Sequence, residues 1–152
     1  MSARAELLER YRGGARAVDA ALAGATDEEL DRPAADGGWT ARQVAHHLAD
    51  SEAMAYIRLR RLVADPDPVM IEGYDEPRWA ERLHYERPIE PSIAVVRAVR
   101  AASLALLERL TDDEWARSGA HSESVAYGVG RWLEIYAEHP YEHAAQIRAA
   151  RG

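Results

Sequence analysis

His139 and His143 stand four residues apart, the spacing that stacks two imidazoles on one face of a helix. Two neutral imidazoles so placed can hold one metal ion, and a third nitrogen from a facing helix would complete a site with positions left open for water or substrate. His47 is the candidate third ligand. At about 100° per residue, Val44, Leu48, Ser51, Ala55 and Leu62 fall on one helical face, and His47 lies roughly 60° from the middle of that stripe. His46 falls near the opposite side. Periodicity therefore sends His47 inward and leaves His46 exposed or hydrogen-bonded at the surface.

Trp132, Tyr136, His139, His143 and Ile147 recur at spacings of three and four, which puts both histidines on a buried stripe. The pair lacks the glutamate of the zinc-protease H-E-x-x-H pattern, because Pro140 follows His139. Pro140 also removes one backbone donor and crowds the carbonyl of Tyr136. A kink there either aims His139 or bends the helix without consequence. Asp50 and Ser51, one turn beyond His47, and Gln146, one turn past His143, are possible groups for orienting an imidazole, though each reads first as an ordinary polar position. His84 and His121 fall in connecting segments, the usual setting of surface histidines.

Four long helices must position these side chains. The first is expected from Ala3 to Ala23, ending at Gly24. The second follows Thr40, a good N-cap, and runs to about Ala64, where Asp65-Pro66-Asp67-Pro68 stops it. The third runs from near Pro91-Ser92 to Leu110, and the fourth from about Gly130 to Ala150. Thr26 to Glu29 and Thr111 to Glu114 repeat the capping-box pattern, each starting a short helical turn after a long helix. The segment over 65–90 is long for a bundle connection, and such a crossover lets the helices on either side run parallel. Residues 124–127 carry the only extended pattern noted.

The 152 residues suit a single domain over 1–152, with an all-α four-helix bundle as its fold. No run of about 18 apolar residues is present, and the charged N-terminal segment does not read as an export signal. Membrane insertion is thus not expected. Cysteine is absent, which removes disulfides, thiolate ligands and a cysteine nucleophile, and agrees with a cytoplasmic location. The net charge of −7 argues against a nucleic-acid partner. All basic residues are arginine, so lysine Schiff-base chemistry is excluded.

The run from Trp39 to Ser51, W-T-A-R-Q-V-A-H-H-L-A-D-S, resembles the first signature of the DinB/YfiT-like family. The stretches Ala55 to Arg60 and Tyr74 to Trp79 resemble the YfiT branch, and Tyr136 to Ile147 resembles the family's closing H-x-x-x-H. Members have been called metal-dependent hydrolases and bacillithiol S-transferases. The resemblance implies a four-helix bundle with a crossover and one divalent ion, usually zinc or nickel, held by His47, His139 and His143. It also implies a homodimer, to which Trp79 or Tyr85 could contribute apolar area. The chain departs from the pattern at Glu52, where a histidine is common, and at Pro140.

Three neutral imidazoles leave the ion its full charge, which lowers the pKa of a bound water or thiol. The expected activity is S-transfer of a low-molecular-weight thiol of the bacillithiol type to an electrophile. The alternatives are hydrolysis by activated water, or a bundle that binds metal or a small ligand without catalysis. Arg58 sits eleven residues past His47, roughly 16 Å along a helix axis, where it could bind a carboxylate at the distal end of such a thiol. Its other reading is a surface ion pair or a solvated arginine.

Overall fold

The computed structural model describes the backbone of residues 1–152 and the side chains of 1–123 and 126–152. Its elements, in chain order, are α1 (Ala3–Leu22), α2 (Asp27–Leu30), α3 (Ala41–Ala64), β1 (Met70–Ile71), α4 (Glu76–Arg82), α5 (Glu90–Leu107), α6 (Asp112–Trp115), β2 (Ser118–His121), β3 (Ser124–Gly128) and α7 (Val129–Arg151). The four long helices are the expected ones, each within a few residues of its sequence-based limits. Thr26, Thr40 and Thr111 all form complete capping boxes, with Glu29, Gln43 and Glu114 reaching back to the cap backbone.

The long helices form the bundle. α1 packs on α7 and α5, and α3 packs on the same two, so α1 and α3 lie across one diagonal. One core cluster joins Val18, Val44, Leu48, Ile93, Val96 and Ile147. A second joins Tyr11, Leu59, Leu62, Leu107, Trp132 and Leu133. The N-terminal halves of α3 and α5 thus share the first cluster and their C-terminal halves the second. The order is reversed in α1 and α7. α3 and α5 therefore run parallel, as the long crossover between them allows, and α1 and α7 run parallel in the opposite sense.

A small sheet was not foreseen beyond the extended stretch near 124. β2 and β3 form an antiparallel hairpin, and β1, from the crossover, pairs parallel with β2. Two residues of β1 carry too little pattern to be read as a strand. Ile71 and Tyr127 bury their side chains against the second core cluster. The crossover is fastened to α3 by Tyr85, which donates to Asp50 at 2.6 Å. Tyr85 is therefore an internal residue, and of the two aromatics expected at a dimer contact only Trp79 remains partly exposed, against Tyr74.

Between the two core clusters lies a polar layer. Arg100 on α5 and Glu52 on α3 are 3% and 1% exposed, and they pair at 2.7 Å. Gly14 on α1 makes room for them: a Cβ there would stand 2.6 Å from Arg100 Nη2 and 2.5 Å from Pro140 Cγ. Gly14→Ala should gain roughly 0.5–1 kcal/mol of helix propensity and lose about 1–3 kcal/mol to overpacking. Urea denaturation is expected to show a net loss of stability with an unchanged m-value; a stabilised variant would contradict the close packing.

Candidate metal centre

α3 is sandwiched, which decides where its histidines go. Leu48, Glu52, Ala55, Leu59 and Leu62 face the core, while the His47, Ser51 and Arg58 row faces α7 and the sheet. A third row, with Arg42 and His46, faces the crossover and the start of α5. His46 is fully buried, with Nδ1 2.8 Å from Ser92 Oγ and Nε2 2.8 Å from the Arg87 carbonyl. The expectation of a surface His46 is thus overturned. Its cause was the assumption that the helix has one buried face.

His47, His139 and His143 each offer a nitrogen, and the three lie within 4.8 Å of one another. His47 is buried, whereas His139 and His143 sit half-buried at the margin of α7's apolar stripe rather than on its middle. α7 continues as one helix through Pro140, which is buried beside Gly14. His84 is exposed and pairs with Glu86; His121 accepts from the Glu123 backbone. Neither joins the cluster.

The outer nitrogens of two rings are occupied by acceptors. His143 Nδ1 lies 2.8 Å from Gln146 Oε1, and His139 Nδ1 lies 3.4 Å from Glu52 Oε1. A carboxylate or amide oxygen accepts only, so both Nδ1 atoms carry hydrogen. The two Nε2 atoms, each left with a lone pair in the neutral ring, then lie 3.1 Å apart. Two imidazole nitrogens on a tetrahedral zinc stand about 3.3 Å apart, from Zn–N distances of about 2.0–2.1 Å. The Ser51 hydroxyl, 3.3 Å from His139 Nε2, can donate to one of the pair but not to both. His47 adds a buried Nδ1 with no hydrogen-bond partner. This donor set suits a divalent cation.

Gln146 and Ser51 therefore touch ligand candidates as the sequence suggested. Asp50 does not: it is committed to Tyr85. Arg58 donates to the Tyr136 hydroxyl at 3.1 Å and to the Glu72 carbonyl at 2.9 Å. It lines a cavity of about 170 Å³ together with Ser51, Tyr74, Tyr136 and His139. Axial distance from His47 understated its place, because His139 on α7 enters the same cavity from the side. Two contributors were given no role by the sequence reading: Glu52, noted only as a departure from the family pattern, and Arg100. Both stand on largely apolar stripes, Glu52 between Leu48 and Ala55 and Arg100 between Val96 and Leu107, and a charge at such a position signals a buried partner.

A family model described as the DinB superfamily matches residues 10–147. The chain belongs to that superfamily. A protein of Oceanobacillus iheyensis bearing the name "Putative metal-dependent hydrolase" is 42% identical over 121 residues, covering 80% of this chain and 70% of that one. YfiT of Bacillus subtilis, named in the same way, is 38% identical over 125 residues, covering 80% and 69%. The solved YfiT structure, described as an unusual four-helix bundle, superposes with a TM-score of 0.87 at 31% identity, over 97% of this chain and 86% of that one. No helix of the described residues is long and apolar enough to cross a membrane.

Burial, reinforced by the neighbouring imidazoles, depresses His47 to a pKa of about 3 and His143 to about 4, from an ordinary 6.5. Both are neutral near pH 7, the form that ligates a metal. Because the folded values lie below the unfolded one, the unfolded chain binds more protons between them. Stability of the metal-free protein should be complete above pH 6.5 and fall as pH drops towards 4. Urea midpoints taken from pH 7.5 to 5, above the main carboxylate range, should decline in the wild type and decline less steeply in His47→Gln, where His143 still contributes; a flat wild-type profile would refute the depressed values.

Proposed function

We propose that this chain is a metal-dependent enzyme that activates a nucleophile at one divalent cation held by His47, His139 and His143. The observation that carries the proposal is the group of three imidazole nitrogens within 4.8 Å of one another, two of them facing Nε2 atoms whose rings each meet an acceptor on the opposite side. The names of the relatives support metal dependence. Imidazole ligands suit zinc and nickel equally, and we expect one or the other. When bound, the cation supplies Lewis acidity that favours the deprotonated form of a water or thiol near pH 7.

The protein's own groups then divide the remaining work. The Ser51 hydroxyl lies within hydrogen-bonding distance of His139 and at the cavity wall, placed to contact a reacting group. Arg58, Tyr74 and Tyr136 line the adjoining cavity together with the carboxylates of Glu76 and Glu123, and these are its polar contacts for substrate. Burial pushes both phenols above their ordinary pKa, so they remain proton donors.

S-transfer from a bacillithiol-type thiol is our first reading, with Arg58 binding a carboxylate of the cosubstrate. A cytoplasmic location, where such thiols are kept reduced, belongs with it. Hydrolysis is the second reading, favoured by the names of the relatives. Metal-loaded protein should be assayed with an electrophilic dye and several thiols, and separately with esters and amides. Thiol-dependent conjugation establishes the first reading, thiol-independent ester or amide turnover the second, and silence in both leaves a metal-binding bundle. A homodimer is expected from family resemblance, and light scattering at twice 16.9 kDa would establish it.

His47→Ala should abolish stoichiometric metal binding, whereas His46→Ala should lower stability yet keep the metal. Metal analysis of both variants decides the matter, and full occupancy in His47→Ala would end the assignment. Arg58→Ala should raise the KM of the thiol severalfold with metal content unchanged. An unaltered KM for every active thiol would return Arg58 to its structural contacts with Tyr136 and Glu72.

A further inference from the structure

Pro140 has no backbone N–H, so the Tyr136 carbonyl lacks its helical donor. Arg100 Nη2 takes that place, donating to Tyr136 O at 3.1 Å and to Tyr11 O at 2.7 Å. The same guanidinium lies over the Tyr11 ring, 3.8 Å from its centroid. Its Nη1 donates to Glu52 Oε1, and that oxygen is the one facing His139 Nδ1. Among the three clustered histidines, His139 alone is backed by a carboxylate. His143 leans on the exposed amide of Gln146.

Satisfying backbone carbonyls accounts for Arg100, but fold stability alone does not ask for a carboxylate against His139. A buried ion pair is often replaceable by packed apolar side chains at little or no cost, and both charges stand where the surrounding stripes are apolar. We infer that Glu52, held in place by Arg100, is a positioning residue for His139. The carboxylate accepts a hydrogen bond from Nδ1–H, fixes the ring in the Nδ1–H tautomer and turns Nε2 towards the other two imidazoles. Arg100 in turn is anchored on two carbonyls, one of them freed by Pro140. The inference deepens the three-histidine reading and rests on it. It makes Glu52, a departure from the family pattern, part of the site.

The test compares metal-free full-length wild type, Glu52→Gln, and the double variant Glu52→Met with Arg100→Met. Zinc affinity is measured by competition with a chromophoric chelator, the His139 tautomer by nitrogen-15 NMR of the metal-free chain, and folding by circular dichroism. In the double variant we expect a folded bundle, a mixed His139 tautomer, and zinc affinity lowered about 10–100-fold, the usual effect of losing such a partner. Glu52→Gln, which keeps an acceptor but loses the charge, should fall between. Wild-type affinity and a pure Nδ1–H tautomer in the double variant would overturn the inference. If the double variant does not fold, Glu52→Gln decides: weakened zinc binding supports the role, and unchanged binding refutes it. If wild type binds neither zinc nor nickel, the three-histidine reading fails by itself, and the tautomer comparison still decides whether Glu52 positions the ring.

Discussion

A single guanidinium meets all four long helices. Arg100 projects from α5, pairs with Glu52 of α3, and donates to backbone carbonyls of α1 and α7. A buried cation is tolerated only when paired and hydrogen-bonded, so the bundle has to bring these groups to one level. Several otherwise unhelpful residues follow from that constraint. Gly14, a poor helix former, leaves the gap through which Arg100 reaches Tyr11. Pro140, which should break a helix, instead exposes a carbonyl that Arg100 satisfies. The polar layer separates two apolar clusters, and their packing sets the parallel course of α3 and α5.

The candidate metal centre lies at the edge of this layer. His139 reaches it from α7 just where the helix turns from core to surface, His143 follows one turn on, and His47 closes the group from α3. Burial keeps His47 and His143 neutral and ready to bind a cation. The adjoining cavity brings Arg58, Ser51 and two tyrosines to the open side. One end of the site is thus tied to a rigid charge network, and the other faces a small polar chamber. That asymmetry would suit the proposed centre, which has to hold an ion firmly while exchanging what binds beside it.

Much of this was legible in residue order because helices report their faces through spacing. Thr26, Thr40 and Thr111 announce helix starts by local hydrogen bonds that need no tertiary partner. His139 and His143 are neighbours by helix geometry alone. The same logic misled at His46, since periodicity counts apolar positions and cannot show that α3 is covered on more than one side. Tyr85 was misjudged for a related reason: an aromatic in a connecting segment gives no sign of the hydrogen bond its hydroxyl donates to the Asp50 carboxylate, which draws it inward.

What the sequence determined by itself is therefore local and repetitive: four helices, their caps, the two-histidine turn on α7 and the inward row of His47 on α3. Each depends on interactions within a few residues, or on a period that a linear string records. The tertiary structure decided which rows face each other. It brought His47 to the pair from α7 over about ninety residues of chain, seated Arg58 beside His139, and joined Glu52 to Arg100. Those pairings arise from the crossing of helices, where charge compensation and close packing act between residues distant in the chain, and no spacing along the chain encodes that distance.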